Sequence, residues 1–130
     1  MKKKFVGWFM TIICLFALTF SLVGCNKEVD PVIICVEHVT EGQTLLSYMK
    51  EMQTREELSF DIQNGLINSI NGTSNAGSSY WMLYTTDTDN ANTAWGTYTY
   101  QDEILGSAIY GAEMLVVKNG EIYIWSYETM

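Results

Sequence analysis

The chain has 130 residues, 48% of them hydrophobic, and fifteen acidic against seven basic side chains give a formal charge of −8. That length suits one compact domain and is too short for two, and the acidic surplus argues against nucleic acid and against attachment to anionic lipid by charge. Acids that simply keep an exported domain in solution account for the same balance.

The chain opens with Lys2, Lys3 and Lys4 ahead of an uncharged apolar run from Phe5 to Val23. A charged start followed by such a run is the pattern of an export signal. The run closes on Leu22-Val23-Gly24-Cys25, which resembles the bacterial lipobox, where a peptidase cuts before the cysteine and the thiol takes up diacylglycerol. Residues 1–24 are therefore expected to be a lipoprotein signal peptide, Cys25 the acylated anchor, and the mature protein a membrane-held, cell-surface lipoprotein. A transmembrane helix is the alternative, since the run approaches the roughly 20 apolar residues that cross a bilayer. Small residues flanking a cysteine at its end fit processing better.

Removing residues 1–24 leaves 106 residues with four basic side chains (Lys27, Lys50, Arg55, Lys118) against all fifteen acids. Residues 25–31 form a short tether with a reach of roughly 20 Å at full extension, which keeps the domain, residues 32–130, close to the membrane. Cys14 leaves with the signal and Cys25 is committed to lipid, so Cys35 has no partner for an intramolecular disulfide. In its apolar run it reads as a small hydrophobe.

The domain begins with Val32-Ile33-Ile34-Cys35-Val36, a β-branched run expected to be a strand buried on both faces. Gly42 turns the chain and Thr44 is the candidate N-cap of a helix on which Leu45, Tyr48, Met49 and Met52 recur at helical spacing, ending near Arg55. The period then changes. Leu58, Phe60 and Ile62 alternate with Ser59, Asp61 and Gln63, as in a half-buried strand. Asn64-Gly65 is a two-residue hairpin signal, Leu66 to Ile70 the returning strand, and Asn71-Gly72 a second turn.

A loop rich in Ser, Asn and Gly leads to the strand Tyr80 to Thr85, and Thr86 to Ala94 reads as a polar, turn-rich loop. Trp95-Gly96, the alternating Thr97 to Tyr100 and a Gly-punctuated stretch from Leu105 to Gly111 follow, before a third Asn-Gly at Asn119-Gly120. In the closing strand, Glu121 to Tyr127, Ile122 and Ile124 share one face and Tyr123, Trp125 and Tyr127 the other. One helix and five or six strands place the fold in the α+β class, a small mixed or antiparallel sheet with one amphipathic helix.

The order of these signals resembles the domain shared by the C-terminal part of transcobalamin and intrinsic factor and by many Gram-positive lipoproteins. The residues that carry the resemblance are Gly42 to Leu46, Gly65 to Gly72, Tyr80 to Tyr84 and Gly120 to Tyr127. Each is a turn plus a strand; their order and the spacing from Ile70-Asn71-Gly72 to Tyr80-Trp81 are the more specific part. In the vitamin carriers the domain covers one face of cobalamin while a helical barrel, which this chain lacks, holds the other. The resemblance implies a ligand, a corrinoid or another planar metabolite handed to an uptake transporter, lying against Tyr84, Thr85, Thr86, Trp95, Gly96, Thr97 and Tyr98.

The residues themselves point to the same stretch, because a Trp-Gly pair in a polar loop lets a flat ring stack while the glycine admits close backbone approach. Trp81 and Trp125 lie in apolar strands and read as core. The rival reading is a structural or adhesive surface domain that binds protein or glycan through its many aromatic side chains.

Reactive groups fare less well. Cys35 and His38, three apart on an extended run, point to opposite faces and cannot act as nucleophile and base. Asp87-Thr88-Asp89-Asn90-Ala91-Asn92 opens like a calcium loop, but the sixth position is not glycine and Tyr98 stands where the bidentate glutamate belongs. Glu56-Glu57 and Asp102-Glu103 are neighbours in sequence and do not converge on one bond. No nucleophile, base and orienting group can be assembled, so the chain is expected not to be an enzyme and to carry no metal.

Overall fold

Hydrogen bonding between strands, more than helix packing, organises residues 29–129, which are the part of the chain described in a computed structural model. The signal segment, the Cys25 anchor and most of the tether lie outside these residues. Eight strands and one helix follow in order: β1 (Val32–Cys35), α1 (Leu45–Thr54), β2 (Phe60–Gln63), β3 (Leu66–Ile70), β4 (Thr73–Ser74), β5 (Ser79–Thr85), β6 (Ala91–Tyr100), β7 (Glu103–Ala108) and β8 (Ile122–Thr129), with a 3-10 turn at Thr88–Asn90. They build a five-stranded sheet in the order β1-β8-β5-β7-β6 and a three-stranded sheet in the order β2-β3-β4. Every strand pair is antiparallel.

This overturns the α+β class expected from the sequence. The described residues form a β-rich, two-sheet architecture in which one ten-residue helix is an accessory. The polar segment after Thr86 and the Gly-punctuated stretch after Leu105 supply the extra strands, β6 and β7, since a hairpin edge needs backbone pairing more than apolar side chains. A second correction concerns β1. It lies at the edge of the sheet, and only Ile34 is buried while Ile33 and Cys35 are exposed.

The local chemistry reads through elsewhere. Thr44 caps α1, its hydroxyl accepting from the Ser47 amide at 3.2 Å. Asn64-Gly65 and Asn71-Gly72 all take positive φ, as two-residue hairpin turns of the mirror-image type demand. The start of α1 is fastened to residues 112–117: Leu45 and Leu46 donate to the carbonyls of Leu115 and Ala112, and Val117 donates to that of Gln43.

Side chains alternate across the five-stranded sheet. On one face, Tyr84, Leu105 and Ile124 form a cluster with Met82, Tyr98, Tyr100 and Ile122 packed against it. On the other, Trp81 pairs with Tyr127, Leu83 with Trp125 and Thr85 with Tyr123 in register. Trp81, Leu83, Tyr123 and Trp125 are all buried there.

The two sheets are stitched together by polar contacts. The Trp81 indole donates to the Thr73 carbonyl at 2.9 Å, the Tyr127 hydroxyl to that of Ser74 at 2.7 Å, and Asn75 accepts from the Trp81 amide while donating to the Ile67 carbonyl. Trp81 and Tyr127 also pack ring to ring, their centroids 5.1 Å apart.

Candidate functional site

The seven residues expected to meet a ligand fall into three environments. Tyr84 is 4% exposed, and its hydroxyl donates to Glu128 at 2.7 Å. Burial, reinforced by that hydrogen bond, raises the Tyr84 pKa above the ordinary tyrosine value, so the phenol stays protonated. Tyr98 stacks beside it with ring centroids 5.6 Å apart. Gly96 completes this group, since a Cβ built on it lies 3.7 Å from the Tyr84 ring.

Thr85 and Thr86 belong to a different end of the strand. Thr85 is buried and its hydroxyl accepts from the Asp87 amide. Thr86 donates to Glu121 at 2.6 Å and accepts from the Ile122 amide, closing the start of β8. Thr97 is exposed on β6, and Trp95 stands alone with 62% of its surface open. The structure brings Tyr84, Gly96 and Tyr98 together and leaves the other four apart.

The exposure of Trp95 has a specific cause. Asn92 sits opposite Ser107 and Thr97 opposite Gly106, so two neighbours on β7 face residues five apart on β6. Thr93, Ala94, Trp95 and Gly96 therefore bow out of the ladder as a wide bulge that aims the indole at solvent. Gly106 lets the chain pass, because a Cβ there would meet Ala91 Cβ at 3.0 Å and Thr93 Cγ2 at 3.2 Å.

In the Asp87–Asn92 segment, which the sequence reads as a solvated acidic loop, the acids are taken by a lysine. Lys118 Nζ lies 3.0 Å from Asp87 and 2.9 Å from Asp89, and Asn90 donates to the other Asp87 oxygen at 2.8 Å. Burial works against the Asp87 carboxylate, but the donors Asn90 and Lys118 outweigh it and hold its pKa below the ordinary value. Among the described residues no three acids, histidines or cysteines come together as a metal site. Cys35 and His38 are both exposed, and β1 ends before His38, which takes a positive φ.

The concavity lies elsewhere. A cleft of about 400 Å³ opens against the face of the large sheet that carries Trp81, Leu83 and Trp125, and it runs from Gly65–Ile67 to the stretch Ser107–Ala112. Leu66, 67% exposed, and Tyr110, 46% exposed, also line it. No Asp, Glu, Lys, Arg or His lines the cleft. A second hollow, of about 540 Å³ and lined by Lys50, Gln53, Thr54, Phe60, Asp61 and Ile62, has only exposed or half-buried walls.

One polar atom of a residue lining the first cleft is out of balance. Trp125 is 5% exposed, and its indole nitrogen is buried without an acceptor. Asn75, in the same wall, is engaged on both its oxygen and its nitrogen. A wall of this composition can hold a ligand through apolar contact and a few hydrogen bonds, and its side chains able to exchange a proton are Ser107, Tyr80 and Tyr110.

Sequence reasoning placed Trp81 and Trp125 in the core, and both are buried; it missed that they also wall a cleft. The usable signal was the small run Gly106-Ser107-Ala108, with Gly111 beyond it, which leaves space beside bulky strand neighbours. No family model, no curated protein and no solved structure matches this chain.

Proposed function

We propose that the chain is a lipid-anchored extracellular binding module that captures a small molecule in the cleft between its two sheets and does not transform it. The observation that carries this reading is a cleft of about 400 Å³ walled by Trp81 and Trp125, without an ionisable group suited to acid–base work. Its volume lies within the range of roughly 300–1,000 Å³ in which drug-sized ligands are held. A corrinoid, the ligand implied by the resemblance to the transcobalamin C-terminal domain, would place only an edge of its ring system there. Delivery of the captured ligand to an uptake transporter is the role that suits a short membrane tether.

Two experiments test this. Palmitate labelling of cells expressing the chain is expected to mark the wild type and to miss Cys25→Ala; label on the variant would refute the anchor. Titration with cobalamin and cobinamide is expected to quench and shift tryptophan fluorescence, and a flat response to both removes the corrinoid.

The rival reading, adhesion to protein or glycan, is favoured by one feature, the Trp95 side chain held out on its bulge. Large aromatic side chains of this kind anchor interfaces. Trp95→Ala separates the readings: loss of cell-surface adhesion with small-molecule binding intact supports the rival.

A further inference from the structure

The cleft also carries information about what it accepts, and this step rests on the reading of the chain as a small-molecule binder. We propose that the ligand is an uncharged ring compound with a hydrogen-bond acceptor, such as an amide or lactam carbonyl, which it presents to the indole N–H of Trp125.

Two independent features lead there. The first is the orphaned donor. Trp81, on the neighbouring strand, has its indole N–H bonded to the Thr73 carbonyl, whereas that of Trp125, directly in register with Leu83, has none. A buried N–H without an acceptor is costly, and evolution or repacking removes it easily by substituting phenylalanine, which keeps the ring and discards the donor. A partner that arrives with the ligand gives the donor a purpose.

The second feature is the composition of the wall. Fifteen acidic side chains crowd this chain, yet none lines the cleft, and no basic side chain does either. The Glu113 carboxylate lies against Gly65 but outside the lining, so a charged ligand would lose its hydration with no opposite charge in the wall to replace it. Aromatic and aliphatic surfaces, including Tyr80, Trp81, Ile67 and Ile109, suit the flat or apolar body of a neutral molecule.

As the ring stands, the Trp125 nitrogen is closed to solvent, so the contact requires the indole to turn toward the cleft that it already lines. Gly111 offers a way to block this. It lines the cleft, a Cβ built on it meets nothing within 4 Å, and its φ is not in the left-handed region. Gly111→Trp therefore adds bulk at the rim of the cleft without straining the backbone.

The test is a set of nitrogen–proton correlation spectra of the full ¹⁵N-labelled chain in detergent micelles, titrated separately with acetanilide, benzoate and benzylammonium. Replacing each tryptophan in turn by phenylalanine assigns the indole signals; if Trp125→Phe does not fold, elimination through the others assigns its resonance. Acetanilide is expected to move the Trp125 indole proton downfield and slow its exchange, while benzoate and benzylammonium bind at least about tenfold more weakly. Gly111→Trp is expected to abolish the acetanilide response while the spectrum elsewhere stays that of the folded chain.

Three results would overturn the inference. Acetanilide could shift the backbone amides of the cleft and leave the Trp125 N–H unmoved, which refutes the role of the donor while the binding reading survives. The charged compounds could bind as tightly as the neutral one, which refutes the class of ligand. If none of the three perturbs the cleft and cobalamin and cobinamide also leave it unchanged, the binding reading itself falls and the inference with it.

Discussion

Replacing Asp87 with alanine tests the polar lock that joins the β5–β6 turn to the segment before β8. Asp87 is 2% exposed and accepts from Asn90 Nδ2 at 2.8 Å, from the Asp89 amide at 3.2 Å and from Lys118 Nζ at 3.0 Å. Alanine strips two neutral donors of their acceptor, each worth about 1 kcal/mol net. Lys118 adds less, because it retains Asp89 at 2.9 Å and reaches solvent. The expected loss is about 2–3 kcal/mol, which at a urea slope of about 2 kcal/mol/M lowers the unfolding midpoint by about 1–1.5 M.

Acid supplies the second half of this test. The folded-state pKa of Asp87 is lowered, so its contribution is fully present above the ordinary carboxylate value and is lost as pH falls through the folded value. The stability gap between wild type and Asp87→Asn should therefore be open at neutral pH and close below about pH 4. Urea melts of both variants at pH 7 and at pH 3 measure it. An Asp87→Ala midpoint within a few tenths molar of wild type at pH 7 would show that the lock is ornamental, and an Asp87→Asn gap that widens in acid would show that the sign is wrong.

Other outcomes follow from the same geometry. Met49→Ala removes a fully buried side chain and should cost about 2–5 kcal/mol in urea melts. Tyr84→Phe removes the 2.7 Å bond to Glu128 and should cost about 1 kcal/mol, read as a small drop in melting temperature. Gly106→Val pushes a branched side chain into Ala91 and Thr93, so the Trp95 emission spectrum should change as the bulge shifts. Trp95→Ala touches a side chain 62% exposed and should leave stability within about 0.5 kcal/mol.

Much of the local structure was legible because it rests on short-range chemistry. The Thr44 cap, the two Asn-Gly hairpins and the α1 periodicity each depend on a few adjacent residues, and each is found where the sequence expects it. Trp81 and Trp125 were legible as buried residues for the same reason, through apolar neighbours on one strand.

What escaped depends on pairing between distant segments. Nothing in Val32–Cys35 says that it will be an edge, since that depends on β8 choosing β5 for its other side. Nor does Thr93–Gly96 announce its bulge; the excess residues appear only when β6 is laid against β7. The fold class was misjudged on the same account, because Ala91–Ala94, the first part of β6, reads as a polar loop until it is paired with β7. The expected site inherited these errors of placement: Thr85 points to the face opposite Tyr84, and Trp95 does not line the cleft, which forms from Gly65–Ile67 and Ser107–Ala112, far apart in sequence.

The proposed ligand site is the opening between the two sheets and not the Trp95 bulge. Amide shift mapping during a cobinamide titration tests it most directly. Perturbations at Ile67, Trp81, Trp125 and residues 107–111 are expected; perturbations confined to residues 93–97 would contradict capture between the sheets.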